Sequence, residues 1–313
     1  MPEKFALLFP GQGAQFVGMG KDLAQDFPAA RALFQKSDDL LGFPLSRVIW
    51  EGPTESLTRT EQCQPALYVT SLAALAALES ELQGRGLRLT PAAAAGLSLG
   101  EYTALAAART LSFEDGLRLV HLRSQAMEEA ARLSPGAMAS VLGLELDLLE
   151  PICAETGAQV ANINAPGQIV ISGSPEAVQA ASQRAKEKGS KRVVSLEVSG
   201  AFHSRLMEPA GLKLKKGLEQ VSVHLPKFPV LSNVTGSAYT GSGEVRILLV
   251  EQLTRPVQWE QCVRTMIQAG IQTFLEVGPG TVLKGLCRKI DPQLQVLSVG
   301  TAESVRAAAA QWA

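Results

Sequence analysis

Gly96-Leu97-Ser98-Leu99-Gly100 has the form of a nucleophile elbow. In a G-x-S-x-G turn the serine sits on a sharp strand-to-helix bend, and small flanking residues let neighbouring backbone come close. The hydroxyl is thrust outward at the head of the next helix, whose free N–H groups face any developing oxyanion. Downstream, Glu101 to Arg109 is strongly helix-forming. Upstream, Pro91-Ala92-Ala93-Ala94-Ala95 is a poor strand by propensity and reads as helix when taken alone. Two readings stay open here: a poised nucleophile, or a Gly-rich helix start.

Working outward, Lys4–Phe9 reads as a short buried strand broken by Pro10-Gly11-Gln12-Gly13. Those two glycines suggest a loop that offers backbone donors. Without a glycine at position 16 it is not a dinucleotide fingerprint. Pro65 to Leu82 reads as an amphipathic helix, and Ser112 to Arg132 as another, opened by a Ser112/Asp115 pair resembling a capping box. The alternation of strand and helix predicts a three-layer α/β core with a mostly parallel sheet.

Residues 137–199 read differently. Strands at Ala137–Leu144, Gln159–Asn164, Gln168–Ser172 and Arg192–Val198, with helices at Asp147–Thr156 and Pro175–Lys188, give βαββαβ. That is the ferredoxin-like order, and about 60 residues suits a self-contained insert. The core resumes with candidate strands Pro229–Ser232 and Thr273–Val277, and the Ala307–Ala310 run reads as a helix end or fraying tail.

Bulk composition excludes several classes. The chain has 313 residues, 46% hydrophobic and 19% charged, enough for one large domain or a domain plus an insert. Lys+Arg 29 against Asp+Glu 30 argues against a nucleic-acid binder. No stretch approaches the roughly 18 apolar residues of a membrane span, and the N-terminus lacks the length of a signal peptide. Cys63, Cys153, Cys262 and Cys287 are too scattered for a metal site or a disulfide framework. The cytoplasm is the expected location.

A nucleophilic serine needs a base, and there are three histidines. His121 falls mid-helix between Arg118 and Gln125, and His224 sits between apolar neighbours. His203 follows Ser199-Gly200-Ala201-Phe202 at the junction of insert and core, the kind of loop position that carries function. A helix start there would keep its imidazole neutral. Arg123 is a second anomaly, because its helical neighbours Leu119, Val120, Ala126 and Met127 form the apolar stripe. A buried guanidinium must be paired. Its partner is either an internal carboxylate or the carboxylate of a substrate.

With these residues in hand the chain resembles the malonyl-CoA:acyl carrier protein transacylases and the acyltransferase domains of polyketide synthases. The resemblance spans nearly the whole length, in order: Phe9-Pro10-Gly11-Gln12-Gly13-Ala14-Gln15, Gly96 to Tyr102, Arg123 to Met127, Asn162 to Gln168, Gly200 to His203, Pro256-Val257-Gln258-Trp259, and Glu276 to Gly280. It implies an α/β-hydrolase-like core, residues 1–133 and 200–313, carrying a ferredoxin-like insert, residues 134–199. It implies Ser98 as the acylated nucleophile, His203 as its base and acid, and Arg123 on the malonyl carboxylate. The N–H groups of Gln12 and Leu99 would form the oxyanion hole, and the Gln258 carbonyl would orient His203 in place of a triad aspartate. Malonyl-CoA and acyl carrier protein are the implied partners, no metal or redox cofactor is needed, and the family is usually monomeric.

One departure stands out. Many family members carry histidine before the serine, where this chain has Leu97, so the acyl pocket is differently shaped or polarised. Ala201-Phe202-His203 instead resembles the malonyl-selective form, with methylmalonyl tolerance left open. A serine esterase or thioesterase is the first rival, but it needs a supported Asp or Glu between Ser98 and His203 in chain order. A non-catalytic scaffold on the same fold is the second.

Overall fold

The computed structural model describes residues 4–311 and contains two four-stranded sheets. The first is wholly parallel, in the order β2-β1-β7-β8, with β1 Phe5–Phe9, β2 Ala93–Gly96, β7 Thr273–Val277 and β8 Gln295–Val299. Every residue of β1 is buried, as expected for a strand covered on both faces. Its side chains alternate between two cores. Phe5, Leu7 and Phe9 join the cluster around the Thr60–Gly84 helix, whereas Ala6 and Leu8 pack with residues of the Trp259–Gln268 and Val282–Ile290 helices.

The Ala93–Ala95 run is a strand, against its local propensity. It lies in register beside β1, Phe9 facing Gly96, and small side chains suit a strand enclosed on both sides. Tertiary pairing outweighs a preference of a few tenths of a kcal/mol per residue. Pro229–Ser232 contributes only two isolated bridges, Val230 to Ala94 and Leu231 to Ala238, and β8 went unread in the sequence. The helix expected at Pro65–Leu82 begins earlier, at Thr60, and is buried nearly all round rather than amphipathic. Ser112 caps the Phe113–Leu133 helix as expected, its hydroxyl accepting the Asp115 N–H at 3.0 Å. The Ala307–Ala310 run lies within the Ala302–Gln311 helix, with Ala308 and Ala309 buried.

The second sheet is antiparallel throughout, in the order β4-β5-β3-β6, with β3 Ala137–Leu142, β4 Gln159–Ala165, β5 Gln168–Gly173 and β6 Arg192–Ser195. Helices Leu146–Thr156 and Pro175–Glu187 cover one face, packing on Ala139, Val141 and Ile171. The opposite face, with Met138, Ala161 and Val170, joins the core of the first sheet. The strand expected to reach Val198 stops at Ser195, and residues 196–198 lie outside regular structure, with the Val198 N–H turned back onto Leu196 O at 3.1 Å. Val257, just ahead of the Trp259–Gln268 helix, bonds to β4 of this sheet, its N–H donating to Ala161 O at 2.8 Å and its carbonyl accepting Ile163 N–H at 2.9 Å. Its side chain packs in the cluster that holds Ala6 and Leu8 of β1.

Candidate active site

The loops that follow β1 and β2 lie at the carboxyl ends of adjacent parallel strands, where open α/β sheets place their ligand crevices. Ser98 follows β2 with φ 52°, in the sparsely populated positive-φ region. Such a conformation costs of order 1–3 kcal/mol and persists only where the surroundings impose it. Here they do. A Cβ on Gly96 would lie 1.9 Å from the Gly100 carbonyl, and a Cβ on Gly100 would lie 2.1 Å from Phe9 O, so both flanking positions admit only glycine. The Ser98 N–H is held by Asn233 Oδ1 at 2.7 Å, and Asn233 Nδ2 donates to Gly96 O at 2.8 Å.

Ser98 Oγ lies 2.8 Å from His203 Nε2. On its other side the His203 ring donates from Nδ1 to a main-chain carbonyl at 2.7 Å. A carbonyl only accepts, so the proton sits on Nδ1 and Nε2 is left to accept from Ser98. The carbonyl belongs to Gln252, not Gln258. Gln258 O is already committed to its own helix, accepting Cys262 N–H at 2.9 Å, while Gln258 N–H donates to Asn233 O at 2.7 Å. His203 is buried at φ 57° in a turn ahead of a 3-10 turn, Arg205–Met207, rather than at the start of an α-helix. Its neutrality has another origin than a helix dipole: burial first, then the Arg123 charge, take its pKa down to about 4.

Arg123 is fully buried. Nη1 donates to Gln64 Oε1 at 2.6 Å; Nη2 donates to Gln252 Oε1 and to Ser98 Oγ, each at 3.0 Å. The guanidinium also lies over the Tyr102 ring, 5.4 Å from its centroid. Its connection to an internal carboxylate is indirect, through the Gln252 amide to Glu101.

A cavity of about 270 Å³ opens onto Ser98, Arg123 and His203 and is walled by Gln12, Leu97, Leu99, Met138, Asn162 and Phe202, among others. The N–H groups of Gln12 and Leu99 make no hydrogen bond within the described residues. The structure thus gathers Ser98, His203, Arg123, Gln12 and Leu99 around one cavity and leaves Gln258 outside it. The other histidines lie elsewhere: His224 is exposed, and His121 stacks at a tilt on Phe43.

Gln252, Gln64 and Asn233 escaped the sequence reading. Each acts through an amide or a main-chain group and none belongs to a motif of its own. The one available signal was an uncharged polar residue, Gln252, at helical spacing from Val245, Leu248 and Leu249, the apolar face of the Ser242–Glu251 helix.

An elbow serine, a carbonyl-held histidine and a preformed pocket are the parts of a site for acyl chemistry, and the comparisons give the class as an acyltransferase. The model for the acyl transferase domain matches residues 6–305, and the chain belongs to that family. Among curated relatives, the malonyl CoA-acyl carrier protein transacylase of Bacillus subtilis is 44% identical over 97% of this chain and 96% of its own length. The Escherichia coli K12 protein of that name is 40% identical over 97% and 98%. Among solved structures, the acyl-carrier-protein S-malonyltransferase of Bartonella henselae superposes with TM-score 0.93 at 41% identity, covering 97% of this chain and 98% of that one. A malonyl-transacylase solved in complex with a type II PKS acyl-carrier protein gives TM-score 0.92 at 38% identity, covering 99% and 100%.

Proposed function

We propose that the protein carries the malonyl group from malonyl-CoA to the phosphopantetheine thiol of acyl carrier protein by a ping-pong route, supplying malonyl-ACP for fatty acid biosynthesis. The observation that carries this reading is the position of Ser98 Oγ between His203 Nε2 and Arg123 Nη2. Ser98 Oγ attacks the thioester carbonyl while its proton passes to His203 Nε2. The resulting oxyanion is met by the Gln12 and Leu99 N–H groups. The C–S bond breaks, His203 returns the proton to the departing thiolate, and free coenzyme A leaves a malonyl-serine ester. The carrier thiol then repeats the steps in reverse. Throughout, the Gln252 carbonyl holds the imidazole tautomer, a task that requires an acceptor but no charge.

Arg123 suits a substrate carboxylate because its direct internal partners are neutral amides and a hydroxyl, and Nε has no partner within the described residues. The names of the relatives support malonyl as the acyl group and acyl carrier protein as the acceptor. The strand orders support reading residues 1–133 and 200–313 as an α/β-hydrolase-like core and 134–199 as a ferredoxin-like insert.

Intact-mass measurement after mixing with malonyl-CoA tests the proposal. A transferase gives a persistent malonyl adduct, absent in Ser98→Ala and discharged by holo-acyl carrier protein. A hydrolase gives turnover without an adduct, and a scaffold gives neither. Malonylation that survives Ser98→Ala would remove the serine from its role.

A further inference from the structure

None of the steps above uses Glu101, a fully enclosed carboxyl in the first turn of the Leu99–Ala107 helix, three residues past the nucleophile. Burying such a group is costly unless donors surround it. Three do. Oε1 accepts from the Asn233 N–H at 3.2 Å and from the Tyr239 hydroxyl, and Oε2 accepts from Gln252 Nε2 at 2.5 Å. A main-chain N–H and an amide NH₂ can only donate, so both oxygens of Glu101 must accept.

That requirement fixes which way round the Gln252 amide sits. With NH₂ on Glu101, its oxygen faces Arg123 and takes the Nη2–H. The flipped amide would set NH₂ against the guanidinium, donor against donor. The same Nε2 also reaches Ser98 O at 2.9 Å. Gln252 supplies the carbonyl that holds His203, and Asn233 holds the Ser98 N–H. Both residues that brace the elbow and the imidazole are thus anchored on one carboxylate.

We propose that Glu101 is the positioning residue of the acyl site: its anion, acting through the Gln252 amide, aims the Arg123 guanidinium at the acyl group. This rests on the acyl-transfer reading and adds a residue to it. The titratable groups that face Glu101 are Tyr239, Tyr102 on its own helix, Cys262 on the Trp259–Gln268 helix, and Arg123. Burial drives both tyrosines and the cysteine upward, which keeps them neutral, so Arg123 is the charge that answers Glu101. Burial also pushes the Glu101 carboxyl up to about 7, against its three hydrogen bonds and Arg123. Taking up a proton there removes the negative charge that holds the Gln252 amide, and of the three partners only the Tyr239 hydroxyl can turn to accept that proton.

The first test needs no variant. In the wild-type enzyme the malonyl-to-acetyl preference, measured as kcat/KM for acylation by each CoA thioester, should fall as pH is lowered through about 7. In Glu101→Gln, which keeps the shape but presents an NH₂, that preference should drop roughly tenfold or more and lose its pH dependence. Combining Glu101→Gln with Gln252→Glu restores an acceptor facing Arg123 and a donor-acceptor pair beneath it, and should recover part of the preference. A wild-type preference that is level from pH 8 to 5.5 overturns the inference. So does a folded Glu101→Gln with unchanged preference, or a double variant no better than the single one. If wild type forms no malonyl adduct, the acyl-transfer reading itself fails, and that result is distinct from all of these.

Discussion

Replacing Glu101 by Gln should change how stability depends on pH, by an amount that follows from the burial of the carboxyl. The folded protein holds the Glu101 proton up to about pH 7, whereas an unfolded chain releases it near 4.5. Its folded pKa is therefore raised, and between those values the native state binds the extra proton. Stability from this group is complete below pH 4.5 and is lost as pH rises to 7. At 1.36 kcal/mol per unit the total is about 3 kcal/mol. His203 works in the opposite direction. Its folded pKa is lowered from 6.5 to about 4, so its contribution is present above 6.5 and is lost on acidification towards 4. In wild type the two slopes oppose each other across their shared window. In Glu101→Gln the opposing slope of the carboxyl is gone and that of His203 remains. Urea unfolding at half-unit steps from pH 4.5 to 7.5 measures both proteins. The other shifted groups, among them Glu79, Glu114, His121 and Glu276, contribute equally to both proteins and cancel in the difference. Wild-type minus variant stability should fall by about 3 kcal/mol from pH 4.5 to 7 and stay level beyond. A difference that is level throughout would refute the reasoning, because it would mean the carboxyl is not desolvated.

His203→Ala should slow acylation about 100- to 10,000-fold, and a rate within a few-fold of wild type would remove it as the base. Arg123→Ala should lower the malonyl-to-acetyl preference at least about tenfold, as expected for losing a charge-assisted bond. Equal loss on both thioesters with a clearly lowered melting temperature would make Arg123 purely structural. The same variant removes a charge that depresses His203, so the imidazole, followed by NMR, should titrate higher than in wild type. Gly100→Ala drives a methyl into the Phe9 carbonyl and should abolish acylation at Ser98, with a stability loss of about 1–3 kcal/mol or more. A fully active Gly100→Ala enzyme would show that the elbow tolerates displacement.

The elbow and His203 were legible because their geometry is written in residue types: glycines where backbone must touch backbone, and a histidine at a junction. Arg123 was legible because a charge interrupted an apolar stripe. The acceptor for His203 was not. Its chemistry is a main-chain carbonyl, which every residue owns, so Gln258 and Gln252 differ only in where the chain bends. The turn after the Ser242–Glu251 helix aims one carbonyl at the imidazole, and the next helix consumes the other. The alanine strand was hidden for a related reason, since only its neighbour β1 makes it a strand. Likewise the Thr60–Gly84 helix looked amphipathic until elements packed around it from all sides. The neutrality of His203 was foreseen for the wrong cause, because burial is a property of the assembled fold.

The seam at Val257 ties the second sheet to the segment ahead of the Trp259–Gln268 helix by main-chain hydrogen bonds, and such bonds ask nothing of side-chain identity. Two walls of the cavity, Met138 and Asn162, ride on strands of that second sheet, whereas Ser98, Arg123 and His203 do not. Part of the pocket wall is thereby carried on a different stretch of chain from the nucleophile, its base and Arg123. Chimeras that exchange residues 134–199 with those of a relative would test that wall alone. Such an exchange would redraw the pocket wall and leave the nucleophile, its base and their anchors in the host.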